Sequence, residues 1–357
     1  MSPNIFDAVT GLFSIDMGID LGTANTLVYV REKGIVIDEP SVVAVHRGTN
    51  IPLDNGRAVG KVAKDMIGKT PGDIVAVRPL REGVIADFDL AEVMLDYFIK
   101  KVQGWSKWRS WLAKPEVVIS VPSGITSVER RAVRNSAERV GARNPFTIEE
   151  PIAAAIGAGL PIGEPRASMV IDIGGGTTEV AIICLAGIVS GESLKVGGDE
   201  MDEAIINFLK KEHSLHIGET TAERIKIDIG SAYPLEQEMM IEVRGRDMVS
   251  GMPRTGKISS TEIREALKGP VTGIVAATKA VLEKSAPELA GDLIEGGIVL
   301  CGGGALLRGI DKVIAAETGL TIRIADDPLR CVVKGCGFIL EHLREFKEVY
   351  AQVQDND

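Results

Sequence analysis

Asp20-Leu21-Gly22-Thr23-Ala24-Asn25-Thr26 reappears in outline as Asp172-Ile173-Gly174-Gly175-Gly176-Thr177-Thr178, about one lobe's length further along the chain. Each stretch reads as a strand ending in Asp, a glycine-rich turn and a return strand. Before the first turn, Ile15, Met17, Ile19 and Leu21 alternate with polar or small residues, the period of two of a strand. Leu27–Val30 returns from it, and Val170–Ile173 and Val180–Leu185 are the matching pair around the second turn. Glycines let the backbone approach a phosphate closely and aim N–H groups at it. Thr and Asn side chains add donors. An Asp at each strand end suits Mg²⁺, which keeps much of its own water. Either stretch alone is an ordinary hairpin. The recurrence, with the Asp kept in place, makes two hairpins that grip a triphosphate from both sides.

A third glycine cluster, Gly302-Gly303-Gly304-Ala305-Leu306-Leu307-Arg308-Gly309, follows the apolar strand Ile298–Cys301. A helix is expected from Leu306 onward, so the cluster offers a flat backbone surface to a base or ribose at a helix N-terminus. Val117–Val121 is a further buried strand before Pro122 and Gly124. Val128, Ala132, Val133, Ala137 and Val140 then lie on one helical face closed by Gly141. Helices are expected near Met201–Glu212, Thr221–Ile229, Thr261–Glu283 and Val332–Val349. Strands mixed with helices along the whole length indicate layered α/β architecture.

Composition narrows the function. At 357 residues the chain exceeds what one core organises, and 45% hydrophobic with 25% charged residues describes an ordinary folded protein. A net charge of −10 argues against a nucleic-acid partner, which needs a basic surface. No apolar run approaches the roughly 20 residues of a spanning helix, and the N-terminus lacks the basic and apolar regions of a secretion signal. Cys184, Cys301, Cys331 and Cys336 show no metal or redox spacing, and three of them sit among apolar neighbours as buried thiols. A reducing cytoplasm fits.

Taken together, Asp20–Asn25, Asp172–Thr177 and Gly302–Gly309 resemble the two phosphate motifs and the adenosine motif of the actin, sugar-kinase and heat-shock-chaperone superfamily. Within it the chain is similar to the MreB family, the bacterial actins of rod-shape maintenance. Supporting stretches include Glu39-Pro40-Ser41-Val42-Val43-Ala44, Arg81-Glu82-Gly83-Val84-Ile85-Ala86-Asp87-Phe88, Val121-Pro122-Ser123-Gly124 and Glu150-Pro151-Ile152-Ala153-Ala154-Ala155. Gly218-Glu219-Thr220-Thr221-Ala222-Glu223-Arg224-Ile225-Lys226 belongs with them, and the likeness runs from about Ile15 to Leu343.

The resemblance implies an actin-like ATPase fold, two α/β lobes each with a core and a smaller insertion, with ATP or ADP and Mg²⁺ in the cleft between them. The first core would be residues 1–32, 76–150 and 330–357, with 33–75 inserted; the second would be 151–190 and 255–329, with 191–254 inserted. Gly22, Thr23, Ala24 and Asn25 would hold phosphates together with Gly174, Gly175, Gly176 and Thr177. Gly197 and Gly198 would line the ribose, and the Glu223-Arg224-Ile225-Lys226 turn, through Glu223 and Lys226, would reach ribose and adenine. Gly302, Gly303, Gly304, Ala305, Leu306 and Leu307 would form the adenosine wall. Asp20 and Asp172 would organise Mg²⁺ through water. Glu150 would position the attacking water, with Thr177 opposite.

Without the resemblance, Glu223 and Lys226 read as an exposed ion pair one helical turn apart, and Glu150 as a helix cap before Pro151. Glu149 competes with Glu150, but neighbours in an extended segment point in opposite directions, so one of them faces the cleft. A carboxylate near its usual pKa of about 4.3 is a weak base towards water. Phosphoryl transfer depends chiefly on positioning and charge compensation, so weak basicity matters little.

Gly251-Met252-Pro253-Arg254-Thr255-Gly256-Lys257 fits the spacing of a P-loop, yet Ile258 stands where its hydroxyl residue belongs and no buried strand leads in. We read it as a loop after the hairpin Ile241–Arg246, with Ser259 and Glu262 boxing the next helix. A small-molecule kinase of the same superfamily is the alternative function, but no acceptor site stands out. A chaperone is not expected, because little sequence follows the last core helix.

The family implies filaments of the chain itself and contact with cell-shape and wall-synthesis membrane proteins on the inner face of the cell membrane. Trp105, Trp108 and Trp111, beside Leu112, lie in a window carrying Lys100, Lys101, Lys107, Arg109 and Lys114 without an acid, as expected for a membrane-contacting loop. Ile5, Phe6, Val9, Leu12 and Phe13 form an apolar stripe of an N-terminal helix, suited to lipid or to a neighbouring surface.

Overall fold

The computed structural model describes residues 15–49, 51–56, 58–104 and 114–347. Their contacts divide the chain into two compact units, one ending at Leu160 and resuming at Arg330, the other running from Pro161 to Leu329.

In the first unit, β1 (Met17–Leu21), β2 (Asn25–Val30) and β3 (Gly34–Pro40) form an antiparallel meander. A small layer follows, with β4 (Val43–His46) paired to β5 (Ile74–Val77), helix α1 (Lys61–Lys64) and its own core of Val42, Ala44, Ala58 and Ala63. The short pair β6 (Leu80–Arg81) and β7 (Val84–Ile85) leads to α2 (Phe88–Gln103), capped by Asp87 accepting from Leu90 N and ended by left-handed Gly104. Next come β8 (Glu116–Val121), α3 (Ser127–Arg139) with the capping box Thr126–Glu129, β9 (Arg143–Glu149) and α4 (Glu150–Gly157). The sheet order is β3-β2-β1-β8-β9, with β8 and β9 parallel to β1. Met17, Ile19 and Leu21 alternate into the core against Val117, Ile119, Met94 and Phe98, as the period of two requires.

The second unit repeats that topology. β10 (Ser168–Ile173), β11 (Thr178–Cys184) and β12 (Gly187–Leu194) are the antiparallel meander. Helices α5 (Gly198–Glu212) and α6 (Glu219–Ile229) and the small sheet of β13 (Leu215–His216), β14 (Met240–Asp247) and β15 (Pro253–Ser259) come between. The 25-residue α7 (Ser260–Lys284) starts at the expected capping box Ser259–Glu262. Then follow α8 (Ala290–Gly296), β16 (Ile298–Cys301), α9 (Ile310–Thr318) and β17 (Ile322–Ile324), giving the order β12-β11-β10-β16-β17 with the same directions as the first sheet.

Helix α10 (Cys331–Glu341) returns to the first unit and packs on α4 and β1. A Cβ at Gly335 would stand 1.9 Å from the Ala153 carbonyl oxygen, and one at Gly157 1.8 Å from that of Cys331. The two backbones meet where no side chain fits.

Three sequence expectations need correction. The helix expected from Leu306 begins at Ile310: Gly303–Leu306 is a short 3-10 turn, and Gly309 at φ 76° breaks the chain direction before α9. The P-loop-like segment is a strand rather than a loop, because β15 pairs along β14 with Gly256 opposite Val243 and Ile258 opposite Ile241. Its Gly and Pro residues hide the alternation. The last helix ends at Glu341, where His342 forms a turn before residues 343–347 resume helical structure. Cys301, Cys331 and Cys336 are buried and all four thiols are free, as read from their neighbours.

Candidate functional site

The first candidate turn, in the first unit, is built on the β1–β2 hairpin. Thr26 pairs with Leu21 and closes the turn, and a Cβ at Gly22 would lie 2.7 Å from Asn25 O. A side chain there would open the turn. Ser41 braces the turn: its N–H donates to Ala24 O at 2.9 Å and its hydroxyl to Gly22 O at 2.6 Å. Buried Thr23 accepts from Gly83 N at 3.2 Å, joining the turn to the β6–β7 hairpin. Asp20, at the end of β1, accepts from Ser120 of β8 at 3.0 Å. Burial lifts its carboxyl to about 6; the Ser120 hydrogen bond opposes this and Asp38 adds to it.

Glu149 ends β9 and is the N-cap of α4, so Glu150 is the first helical residue and Pro151 the second. Glu149 is drawn to Arg130 at 2.6 Å. Burial first, then the charges of Asp20 and Glu150, push the Cys336 thiol of α10 well above its ordinary range. That thiol lies 3.9 Å from Ile19 O of β1.

The second unit carries a like turn between β10 and β11. Gly174 N donates to Thr177 O at 2.8 Å, and a Cβ at Gly174 would lie 3.2 Å from that oxygen, as at Gly22 and Asn25. Gly198 N donates to Gly174 O at 3.0 Å and Asp199 N to Gly175 O at 2.7 Å, so the Gly197–Gly198 segment braces this turn as Ser41 braces the first. Gly176 completes the turn, and Thr177 and Asp172 are buried. Thr178 donates to Val196 O at 2.7 Å.

Lys226 belongs to this network. It donates to Gly198 O at 2.7 Å and pairs with Asp202 Oδ1 at 2.9 Å, in place of the exposed pair with Glu223. Asp202 is lifted to about 6, chiefly by burial, with Lys226 opposing and Glu223 and Asp199 adding to the shift. Ile225 is packed in the core and Arg224 is exposed, so Glu223 and Lys226 are the members of their turn that face Asp202's side. In the third cluster Ala305 and Leu307 are core, Leu306 is exposed, Gly302 N donates to Pro328 O at 2.8 Å, and Gly303 and Gly304 form the 3-10 turn. Arg308 binds the carbonyls of Ile227 and Gly230, capping α6.

The sequence assigns no role to Asp202, Ser120, Ser41 or Arg308, although Ser41 and Arg308 lie within its quoted stretches. Asp202 follows Gly198 by one helical turn, the spacing that could have singled it out. The others act across strands and loops distant in sequence. Trp105, Trp108, Trp111, Leu112, Ile5, Phe6 and Val9 lie outside the described residues. Among the described residues no helix is long and apolar enough to cross a membrane, and no cluster of three or more His, Cys, Asp or Glu is built to hold a metal. Asp20 and Asp172 each stand near the end of a central strand, and a carboxylate is the kind of donor Mg²⁺ takes.

With this geometry in place, the profile of the MreB/Mbl protein family matches residues 14–348. The chain belongs to the MreB/Mbl family. Cell shape-determining protein MreB of Escherichia coli (strain K12) is 54% identical over 331 residues, covering 93% of this chain and 94% of that protein. Cell shape-determining protein Mbl of Bacillus subtilis (strain 168) is 47% identical over 332 residues, covering 93% and 97%. The crystal structures of Spiroplasma citri MreB5 bound to ADP and to AMPPNP each superpose with a TM-score of 0.87 at 40% identity, covering 94% of this chain and 98% of theirs. The fold is the actin-like α/β fold of MreB proteins.

Proposed function

We propose that this chain binds and slowly hydrolyses ATP, polymerises with it, and as a filament on the cytoplasmic face of the cell membrane determines rod cell shape and guides wall synthesis. The observation that carries the nucleotide reading is the repeated turn, in which Gly22 lies against Asn25 O and Gly174 against Thr177 O at the ends of equivalent strands. The MreB and Mbl relatives are named for cell shape, and the Spiroplasma protein was crystallised with ADP and AMPPNP.

In this reading both hairpins serve one nucleotide. Backbone N–H groups of Gly22–Asn25 and Gly174–Thr177 hold phosphate oxygens, and Lys226, Glu223 and the Gly302–Gly304 turn hold the nucleoside. Asp20 and Asp172 would hold Mg²⁺ through water, and a bound ion would supply positive charge against the phosphates. Glu150 orients the attacking water from the N-terminus of α4, and Thr177 hydrogen-bonds it from the other side. No strong base is needed, because the transition state is loose and positioning dominates.

The partners assigned by this reading are further copies of the chain, the membrane surface and cell-shape and wall-synthesis membrane proteins. It also assigns 33–75 and 191–254 as the lobes' smaller insertions. Sedimentation with ATP, with ADP and without nucleotide, alongside phosphate release, tests it. Polymer in the pellet with ATP, together with slow phosphate release, is the expected result. ATP consumption that requires an added hydroxyl acceptor, with nothing in the pellet, would replace this reading with a kinase.

A further inference from the structure

Thr147 and Glu149 lie two positions apart on β9, so their side chains share one face of the strand, while Ile148 between them points the other way and is fully buried. Arg130, in the second turn of α3, covers that shared face. Its guanidinium lies 2.6 Å from Glu149 Oε1 and 3.4 Å from Thr147 Oγ1, with both charged side chains largely buried. Glu149 is the N-cap of α4 but makes no side-chain cap hydrogen bond. Its carboxylate is held by Arg130 of α3.

We propose that Arg130 is a positioning residue for the hydrolytic water: by neutralising Glu149 and turning it onto α3, it leaves Glu150 as the one carboxylate of the pair presented to the nucleotide. This deepens the ATPase reading and rests on it. Without Arg130, Glu149 becomes a second negative charge beside Glu150, able to swing onto the start of α4. It then repels phosphate oxygens and competes for the water that Glu150 orients. The planar fork of Arg suits the task, because it can meet a carboxylate and a neighbouring hydroxyl at once. The anchor is also well supported, since the Thr126–Glu129 capping box fixes the turn of α3 from which Arg130 projects.

The test compares phosphate release per unit of sedimented polymer with the affinity for a fluorescent ATP analogue, in full-length protein. Arg130→Ala is expected to lower the hydrolysis rate about ten-fold while leaving nucleotide affinity within about two-fold, the signature of lost positioning rather than lost binding. Arg130→Ala combined with Glu149→Gln is expected to recover most of that rate, because the orphaned charge is gone. Glu149→Gln alone should stay within about three-fold of the parent. A double variant as slow as Arg130→Ala would mean that Arg130 merely joins α3 to β9, and the proposal falls. It falls equally if Arg130→Ala hydrolyses ATP at the parent rate, or if Glu149→Gln alone loses ten-fold. Should Arg130→Ala not fold, Arg130→Lys and Glu149→Gln decide the matter by the same comparison, since Lys keeps the charge and loses the fork. A parent-like rate in Glu150→Ala would instead remove the ATPase assignment of Glu150, whatever Arg130 does.

Discussion

Lys226 Nζ lies 2.9 Å from Asp202 Oδ1 while donating to Gly198 O, which ties α6 to the brace of the glycine-rich turn after β10. Asp202 is mostly buried and its carboxyl is lifted from 3.8 to about 6. The fold therefore favours its protonated form. The stability this contributes is present below pH 3.8 and is lost as pH rises through about 6. Lys226 has the opposite need: its partner is charged above pH 6 and neutral below. ATP affinity is expected to fall as pH drops through about 6. Asp202→Asn should weaken binding at neutral pH and flatten that dependence. Titration of a fluorescent ATP analogue at several pH values checks both, and an unaltered pH profile in the variant would assign the effect to another group.

Glu150→Ala is expected to keep nucleotide binding and to slow phosphate release by an order of magnitude or more, about what is lost when a positioned water loses its holder. Parallel binding and phosphate assays under polymerising conditions measure it. Equal rates in parent and variant would reduce Glu150 to the first residue of α4.

Asp20→Ala and Asp172→Ala should each weaken Mg²⁺-dependent ATP binding, with one nucleotide bound per chain in the parent. Equilibrium titration gives both affinity and stoichiometry. Two independent sites, or unchanged affinity in either variant, would mean that the two hairpins serve different ligands.

The contact of α4 with α10 makes a stability prediction. Gly335→Ala drives a Cβ towards the Ala153 carbonyl, a backbone group that cannot rotate away. The expected cost is roughly 1–3 kcal/mol, typical of overpacking. Gly273→Ala, inside α7 and with only ordinary contacts to the Leu194 and Val196 side chains, is the control and should be neutral or stabilising by up to about 1 kcal/mol. Thermal melts of the two variants side by side show the difference, and equal midpoints would mean that the helices yield.

Replacing Trp105, Trp108 and Trp111 with Ser is expected to abolish co-flotation of ATP-bound polymer with anionic liposomes while leaving polymerisation intact. Trp favours the membrane interface, and nearby Lys and Arg are drawn to anionic lipid by about 1 kcal/mol each. One chain binds weakly, whereas a filament repeating the segment binds by avidity. Undiminished flotation would shift the contact to Ile5, Phe6 and Val9.

The local pattern was enough to place both glycine-rich turns and most of the strands and helices around them. Alternation marks β1 and β10, glycine marks the turns, and Asp20 and Asp172 stand at equivalent strand ends because the two stretches are copies. Capping chemistry likewise marked the start of α7 at Ser259, a property of four consecutive residues. Apolar neighbours pointed to three buried thiols among the four, and the packing makes them Cys301, Cys331 and Cys336. What it left open depends on contacts between residues far apart in sequence. Nothing local says that Arg130 takes Glu149 and so decides which of two adjacent carboxylates is presented, or that Lys226 chooses Asp202 over Glu223. Strand pairing, not composition, made Gly251–Lys257 part of a hairpin and its following strand, and a single left-handed glycine at 309 delayed α9. Ion pairs, backbone approaches and pKa shifts arise when elements pack and exclude water, so only the tertiary structure could assign them.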